Sequence, residues 1–191
     1  MDLQDGLSAE ELMAELPAQI EIRPAAVDDA VDIARLHRAV WCETYRDLAP
    51  ADVYRTLDED FRRVRWSDML TNPRRHQGVL LAEQEKRLVG IGAIGAPLEP
   101  AFAGRGEIRS LYIDPSVKRQ GLGRRLMREL AVQLAAFGYS AAALGVVAGN
   151  DPAIAFYRSL GGRMIGRYTD PGPIWRSDNL IFVWDDLSLL S

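Results

Sequence analysis

At 191 residues the chain is long enough for one domain with a full core. Its 48% hydrophobic and 26% charged content is the balance of a globular protein. The net charge of −4 argues against nucleic-acid binding and tolerates a cationic small substrate, while one cysteine (Cys42) and two histidines (His37, His76) exclude an internal disulfide, a Cys/His zinc cluster and a His-rich metal site. No apolar run approaches the ~20 residues of a membrane helix, and the N-terminus has no basic segment of a secretory signal, so the expectation is a cytoplasmic protein with no membrane partner and no metal.

Residues 1–17 read as an acidic appendage, with Ser8 and Glu11 as a capping box and Pro17 as a stop. A single domain is expected over residues 18–191. Residues 19–23 alternate as a strand ended by Pro24. From about Asp28, Ala30, Ile33, Ala34, His37, Val40 and Trp41 fall at helical spacing, and residues 50–70 read as helix in pieces. Residues 79–82 and 88–94 form a hairpin around Glu85-Lys86-Arg87. A strand over 107–113 closes at Asp114-Pro115, and a helix over 121–137 carries the stripe Met127, Leu130, Ala131, Leu134, Phe137 before Gly138. Residues 141–147 are small and apolar, as in a central strand. Residues 152–160 are a helix, with Asp151 expected at the N-cap and Pro152 at the first helical position. Strands over 163–168 and 180–184 follow, joined by a Pro/Gly turn at 170–173. This order gives an α/β chain with a mixed sheet.

The segment between the 107–113 strand and the next helix carries chemistry. Gly121 and Gly123 let the backbone approach a ligand, and the helix they open presents unpaired N–H groups and partial positive charge. Lys118, Arg119, Arg124 and Arg125 add cations in an acidic chain. The combination suits a pyrophosphate. A dinucleotide fingerprint is excluded because position 126 is Leu, and a P-loop because no Gly-Lys-Ser/Thr follows.

Glu107-Ile108-Arg109-Ser110-Leu111-Tyr112-Ile113-Asp114-Pro115, followed by Lys118-Arg119-Gln120-Gly121-Leu122-Gly123-Arg124, resembles the core motif of the GNAT superfamily of acyl-CoA N-acyltransferases, with Lys118 where Gln or Arg is usual. Downstream, Asn150, Ala153, Phe156, Tyr157 and Gly161 match the family's later signature, and Gly162 stands where Phe often follows, which suggests a looser turn. The resemblance implies a mostly antiparallel twisted sheet of about six or seven strands flanked by helices, with CoA in the cleft between two central parallel strands. It implies acetyl-CoA as cosubstrate: phosphates on the backbone from Gln120 to Arg124, pantetheine along Leu111, Tyr112 and Ile113, and Asn150, Ala153 and Phe156 beside it. A backbone N–H near Ile113 would stabilise the developing oxyanion. Tyr157 would serve as general acid toward the thiolate, and Glu107 as general base toward a protonated amine.

By the same resemblance, Trp41 and Tyr45, with Thr44, Tyr54 and Trp66 near them, are candidates for the acceptor pocket. Asp47, Asp52, Asp58, Glu59 and Asp60 read as a solvated helix face rather than an amine trap. His37 reads as a satisfied core histidine and His76 as exposed. The implied activity is transfer of an acetyl group to a primary amine of a small molecule or peptide; the alternative is an acyl-CoA-binding sensor of the same fold. A homodimer is expected to form, if at all, through Trp184 and Leu187 near the chain end.

Overall fold

The computed structural model describes residues 19–172 and 175–190. The appendage expected over residues 1–17 lies outside them. Seven strands form one mixed sheet: β1 (Ile20–Pro24), β2 (Gly78–Gln84), β3 (Arg87–Gly95), β4 (Gly106–Ile113), β5 (Ala142–Val147), β6 (Arg163–Asp170) and β7 (Ser177–Trp184). Their order is β1-β2-β3-β4-β5-β7-β6, and every neighbouring pair is antiparallel except β4 and β5.

Because side chains alternate across a strand, the sheet sends one set to each face. Val79, Leu81, Ile91 and Ala93 pack against α1 (Ala30–Thr44) and α3 (Glu59–Thr71), which are linked through the short α2 (Val53–Thr56). Leu80, Ala82, Ile94 and Ile108 pack on the other face against α4 (Leu122–Ala136) and α5 (Asp151–Ser159). Of the stripe expected on α4, Met127, Leu130, Ala131 and Leu134 are buried and Phe137 is half-buried, and Leu122 and Leu126 are buried with them.

The alternation breaks once on β4. Ala93 pairs with Ser110, but Ile94 pairs with Ile108, so Arg109 is an extra residue. This bulge reverses parity. Ile108 therefore shares the α4 face with Leu111 and Ile113, although it lies an odd number of positions, three, before Leu111. Tyr112 goes to the α1 face.

Several expectations are corrected. The β2–β3 turn is Glu85-Lys86 alone, at φ 51° and 64°, with Arg87 already paired to Gln84. The cap of α5 is Asn150, because its side-chain oxygen reaches the Ala153 N–H at 3.4 Å; Asp151 is the first helical residue. Gly162 does not loosen its turn: its N–H donates to Tyr157 O at 3.0 Å, and a Cβ there would strike the Trp184 ring. His76 is half-buried, stacked on Phe137 and bonded to Tyr139. Trp184 donates to Leu160 O at 2.9 Å and is buried, as is Leu187, so neither residue is available to a second copy.

Leu130 is fully buried where α4 meets the sheet. Leu130→Ala should destabilise the protein by about 2–5 kcal/mol. The check is a lower midpoint of urea unfolding with an unchanged slope.

Candidate active site

β4 and β5 pair only at Gly106–Ala142 and Glu107–Ala143. Beyond that the strands part, and among the described residues the side of β4 facing β5 has no strand partner from Ile108 onward. A cavity of about 590 Å³ occupies the gap. Its walls are Ile108 to Ile113 of β4, Leu144 to Val146 of β5, the loop and first turn of α4, Asn150 with α5, and Thr44 and Tyr45 at the end of α1.

The phosphate-suited loop lies at one end of this cavity. Gly121 caps α4 at φ 81°, a conformation that favours glycine. Gly123 faces the Phe156 ring, which a Cβ would meet at 3.1 Å, so the first turns of α4 and α5 stand side by side. Arg119 adopts φ 63° and lines the cavity with Arg124, and neither has an ion-pair partner among the described residues. Lys118 also lines it, but its Nζ lies 3.3 Å from Glu43 on α1. Arg125 is drawn away by donating to Ile20 O at 2.6 Å. The Gln120 side chain bonds Ser116 O and is not part of the wall.

Three phenols converge deeper in. Tyr157 lines the cavity and is 9% exposed; burial, then the nearby Tyr45, push its hydroxyl well above the usual tyrosine range. Tyr112 is likewise pushed up by burial, then by Tyr45. Its ring turns to α1 and stacks on His37 at 4.2 Å, so toward the strand gap it offers backbone. Tyr45 is raised by burial and lies in hydrogen-bond reach of the Asn150 side chain. Asn150 thus caps α5 with its oxygen and turns its amide toward the cavity and Tyr45.

Glu107 sits where β4 and β5 begin to part. Burial raises its carboxyl above the usual range. This is partly offset by the Leu98 N–H, which donates to it at 3.0 Å, and by Arg109 at 3.3 Å. Arg109 lines the cavity and Glu107 does not, so the bulged arginine stands between them.

On the acceptor side, Trp41 and Tyr45 meet Tyr54 and a residue the sequence reading passed over, Trp175. Trp175 lies 5.8 Å from Trp41 and 5.6 Å from Tyr45, so it joins the β6–β7 connection to the end of α1. Beside a Pro/Gly turn it carries no periodic signal, and only its bulk marks it in the sequence. Trp66 is instead a core residue under α1. The acidic residues of the region are spent on the helix surface: Asp58 caps α3, Asp60 pairs with Arg63, and Glu59 with Arg35.

The sequence profile of the acetyltransferase (GNAT) family matches residues 33–161. An uncharacterized N-acetyltransferase, YuaI, of Bacillus subtilis (strain 168) is 28% identical over 172 residues, covering 90% of this chain and 96% of that protein. The structure is similar to that of the paia N-acetyltransferase of Thermoplasma acidophilum in complex with coenzyme A, with TM-score 0.67 and 18% identity over 86% of this chain and 98% of that one. It is similar also to yncA of Salmonella typhimurium with acetyl-CoA, with TM-score 0.65 and 21% identity over 89% and 95% of the two chains.

Gly121→Ala places a Cβ on a left-handed residue, which costs about 1–2 kcal/mol. The expected result is a lower melting temperature without ligand, in a variant whose far-ultraviolet circular dichroism is unchanged.

Proposed function

The chain belongs to the GNAT acetyltransferase family, and from that premise we propose that it is an N-acetyltransferase that moves an acetyl group from acetyl-CoA to a primary amine by direct attack. The observation that carries the reading is the cavity between β4 and β5, which joins an anion-suited helix N-terminus, an unpaired strand edge and a buried phenol in one continuous space.

The residues present fit an acyl-CoA. Arg119, Arg124 and the backbone from Gln120 to Arg124 would hold the pyrophosphate. The free edge of β4 at Leu111 and Ile113 would bond the pantetheine as an added strand would. Leu122, Ala153 and Phe156 supply apolar contact, and the Asn150 amide a polar one. Bound acetyl-CoA supplies the thioester; the protein supplies position and proton traffic.

A phenol is protonated at neutral pH, and burial moves Tyr157 further from ionising. It is therefore a donor that can hand its proton to the departing sulfur. Glu107 would draw the proton from the attacking amine through a water passing Arg109. Its raised carboxyl brings it closer to the operating pH than an exposed glutamate would be. Trp41 and Tyr45, with Trp175, would shape the acceptor space.

Tyr157→Phe should lower kcat by about 10²-fold or more while changing CoA affinity little, as read by thiol release and by calorimetry with CoA. Acetyl-CoA bound without thiol release over a broad amine panel would favour the sensor reading. A second test concerns pH. A general base works deprotonated, so kcat/KM should fall as pH drops through the Glu107 pKa. Burial moves that limb upward from the ordinary glutamate range. Glu107→Gln should remove the limb along with most of the rate; an unchanged profile would take Glu107 out of the reaction.

A further inference from the structure

Arg62 of α3 is 5% exposed, and no carboxylate among the described residues pairs with it. Its guanidinium lies over the Trp41 ring at 5.0 Å. Nε donates to Leu57 O at 3.1 Å, and Nη1 lies 2.7 Å from His37 Nε2. Nη2 is shielded from water and has no hydrogen-bond partner among the described residues. The other charged side chains that act on the guanidinium, Arg38 and Arg65, are of the same sign. A buried cation with no counter-ion is destabilising, and burial alone disfavours its charge.

The partner Arg62 does have makes the shortage worse. Trp66 donates its indole N–H to His37 Nδ1 at 3.0 Å. A neutral imidazole has one accepting nitrogen. If Nδ1 accepts from Trp66, Nε2 carries a hydrogen and points it at a hydrogen of Arg62. In the other tautomer Nδ1–H opposes the indole. Protonating the ring removes both acceptors, and burial with Arg62 and Arg65 nearby opposes that charge. Among Arg62, His37 and Trp66 there is always one donor too many. This polar cluster is not buried at random. His37 stacks on Tyr112, Arg62 acts on both Tyr112 and Tyr45, and both phenols line the cavity.

We propose that Arg62 is the counter-ion for a carboxylate on the acceptor, so that the substrate is a small amine that also bears a carboxylate, of which amino acids are the simplest kind. This rests on the N-acetyltransferase reading. A carboxylate brings acceptor oxygens and the missing negative charge. The guanidinium fork can present Nη1 and Nη2 to it together. Turning Nη1 toward the substrate frees His37 Nε2 from the opposed donor, so one movement satisfies the orphan Nη2 and relieves the contact. Trp41, whose face carries the guanidinium, belongs to the aromatic group around Tyr45 and Trp175, which would pack the acceptor's side chain.

The test compares matched acceptors in thiol release from acetyl-CoA: a panel of L-amino acids, their carboxamides, the amines they give on loss of carboxylate, and aminoalkyl phosphates. The proteins are the natural one, Arg62→Met and Arg62→Lys. The natural protein should favour an acid over its amide and amine by roughly tenfold or more in kcat/KM, the order expected for a charge-assisted bond. Arg62→Met should lose that preference, with the uncharged acceptors changed less than about threefold, and Arg62→Lys should keep part of it. Without acceptor, Arg62→Met should melt no lower than the natural protein, because an apolar side chain of similar length replaces an unpaired charge. Equal loss on acids and amides, a lowered melting point with no change in preference, or a preference for phosphates would overturn the proposal. If no acceptor releases thiol, the N-acetyltransferase reading fails, and Arg62 is judged by binding alone. A rise in melting temperature with an L-amino acid, present in the natural protein and absent in Arg62→Met, supports it; no rise with any acid in the panel overturns it.

Discussion

The separation of β4 from β5 after two paired positions is the constraint on which the rest of the site depends. Had the strands stayed paired, the edges at Leu111 and at Val146 would bond each other and no cavity would exist. Two features hold them apart. The bulge at Arg109 adds twist and bend to β4 where pairing ends. On the other side, β5 is held by β7 along its whole length, from Ala142–Trp184 to Val147–Asn179, so it cannot follow β4. The backbone groups left open belong to a sheet braced on both flanks, which makes them fixed donors and acceptors rather than a frayed edge.

The same bulge sorts chemistry between faces. It returns Ile108 to the α4 face, where the core needs an apolar residue, and sends Tyr112 toward His37 and α1. Arg109 itself, displaced from the ladder, spans the start of the gap and holds the Glu107 carboxylate while donating to Ala96 O at 2.6 Å. A strand without the extra residue could not serve the core and both sides of the gap with this sequence. One local irregularity thus supplies room and polarity, which is why bulges recur beside functional sites.

The phosphate-suited end of the candidate site was legible in the sequence because it is local. Gly121, Gly123 and the arginines lie within one short segment, and Asn150 to Tyr157 within another; each meets its physical requirement among near neighbours. The order and type of the strands and helices followed from periodicity for the same reason. What could not be read was long-range. Pairing Ile94 with Ile108 rather than Arg109 is a property of two strands together, and no spacing within β4 announces it. Trp175 meets Trp41 and Tyr45 across more than a hundred residues of chain, and a tryptophan after a Pro/Gly turn carries no periodic signal. The cap of α5 is expected one position late, at Asp151, because Asp151 and Pro152 offer a full local signature of their own; only the 3.4 Å contact from Asn150 to Ala153 separates the two.

Arg62 shows the limit most clearly. In sequence it is one arginine in a charged stretch, indistinguishable from Arg63 and Arg65. Helical phase then separates them: Arg63 and Arg65 face water, and Arg62 faces Trp41. On the phosphate-suited side of the cavity, exposed arginines stay solvated until an anion arrives, so holding them costs the unliganded protein little. On the acceptor side the charge is already desolvated and its neighbours are already donors, so most of the desolvation cost is carried before any ligand binds. A site arranged in that way gains selectivity for an anion, because the solvation lost by the protein is not lost again on binding. The cavity and the cluster behind its phenols therefore ask for negative charge by opposite means, one by gathering exposed cations and the other by burying a guanidinium with no carboxylate beside it among the described residues.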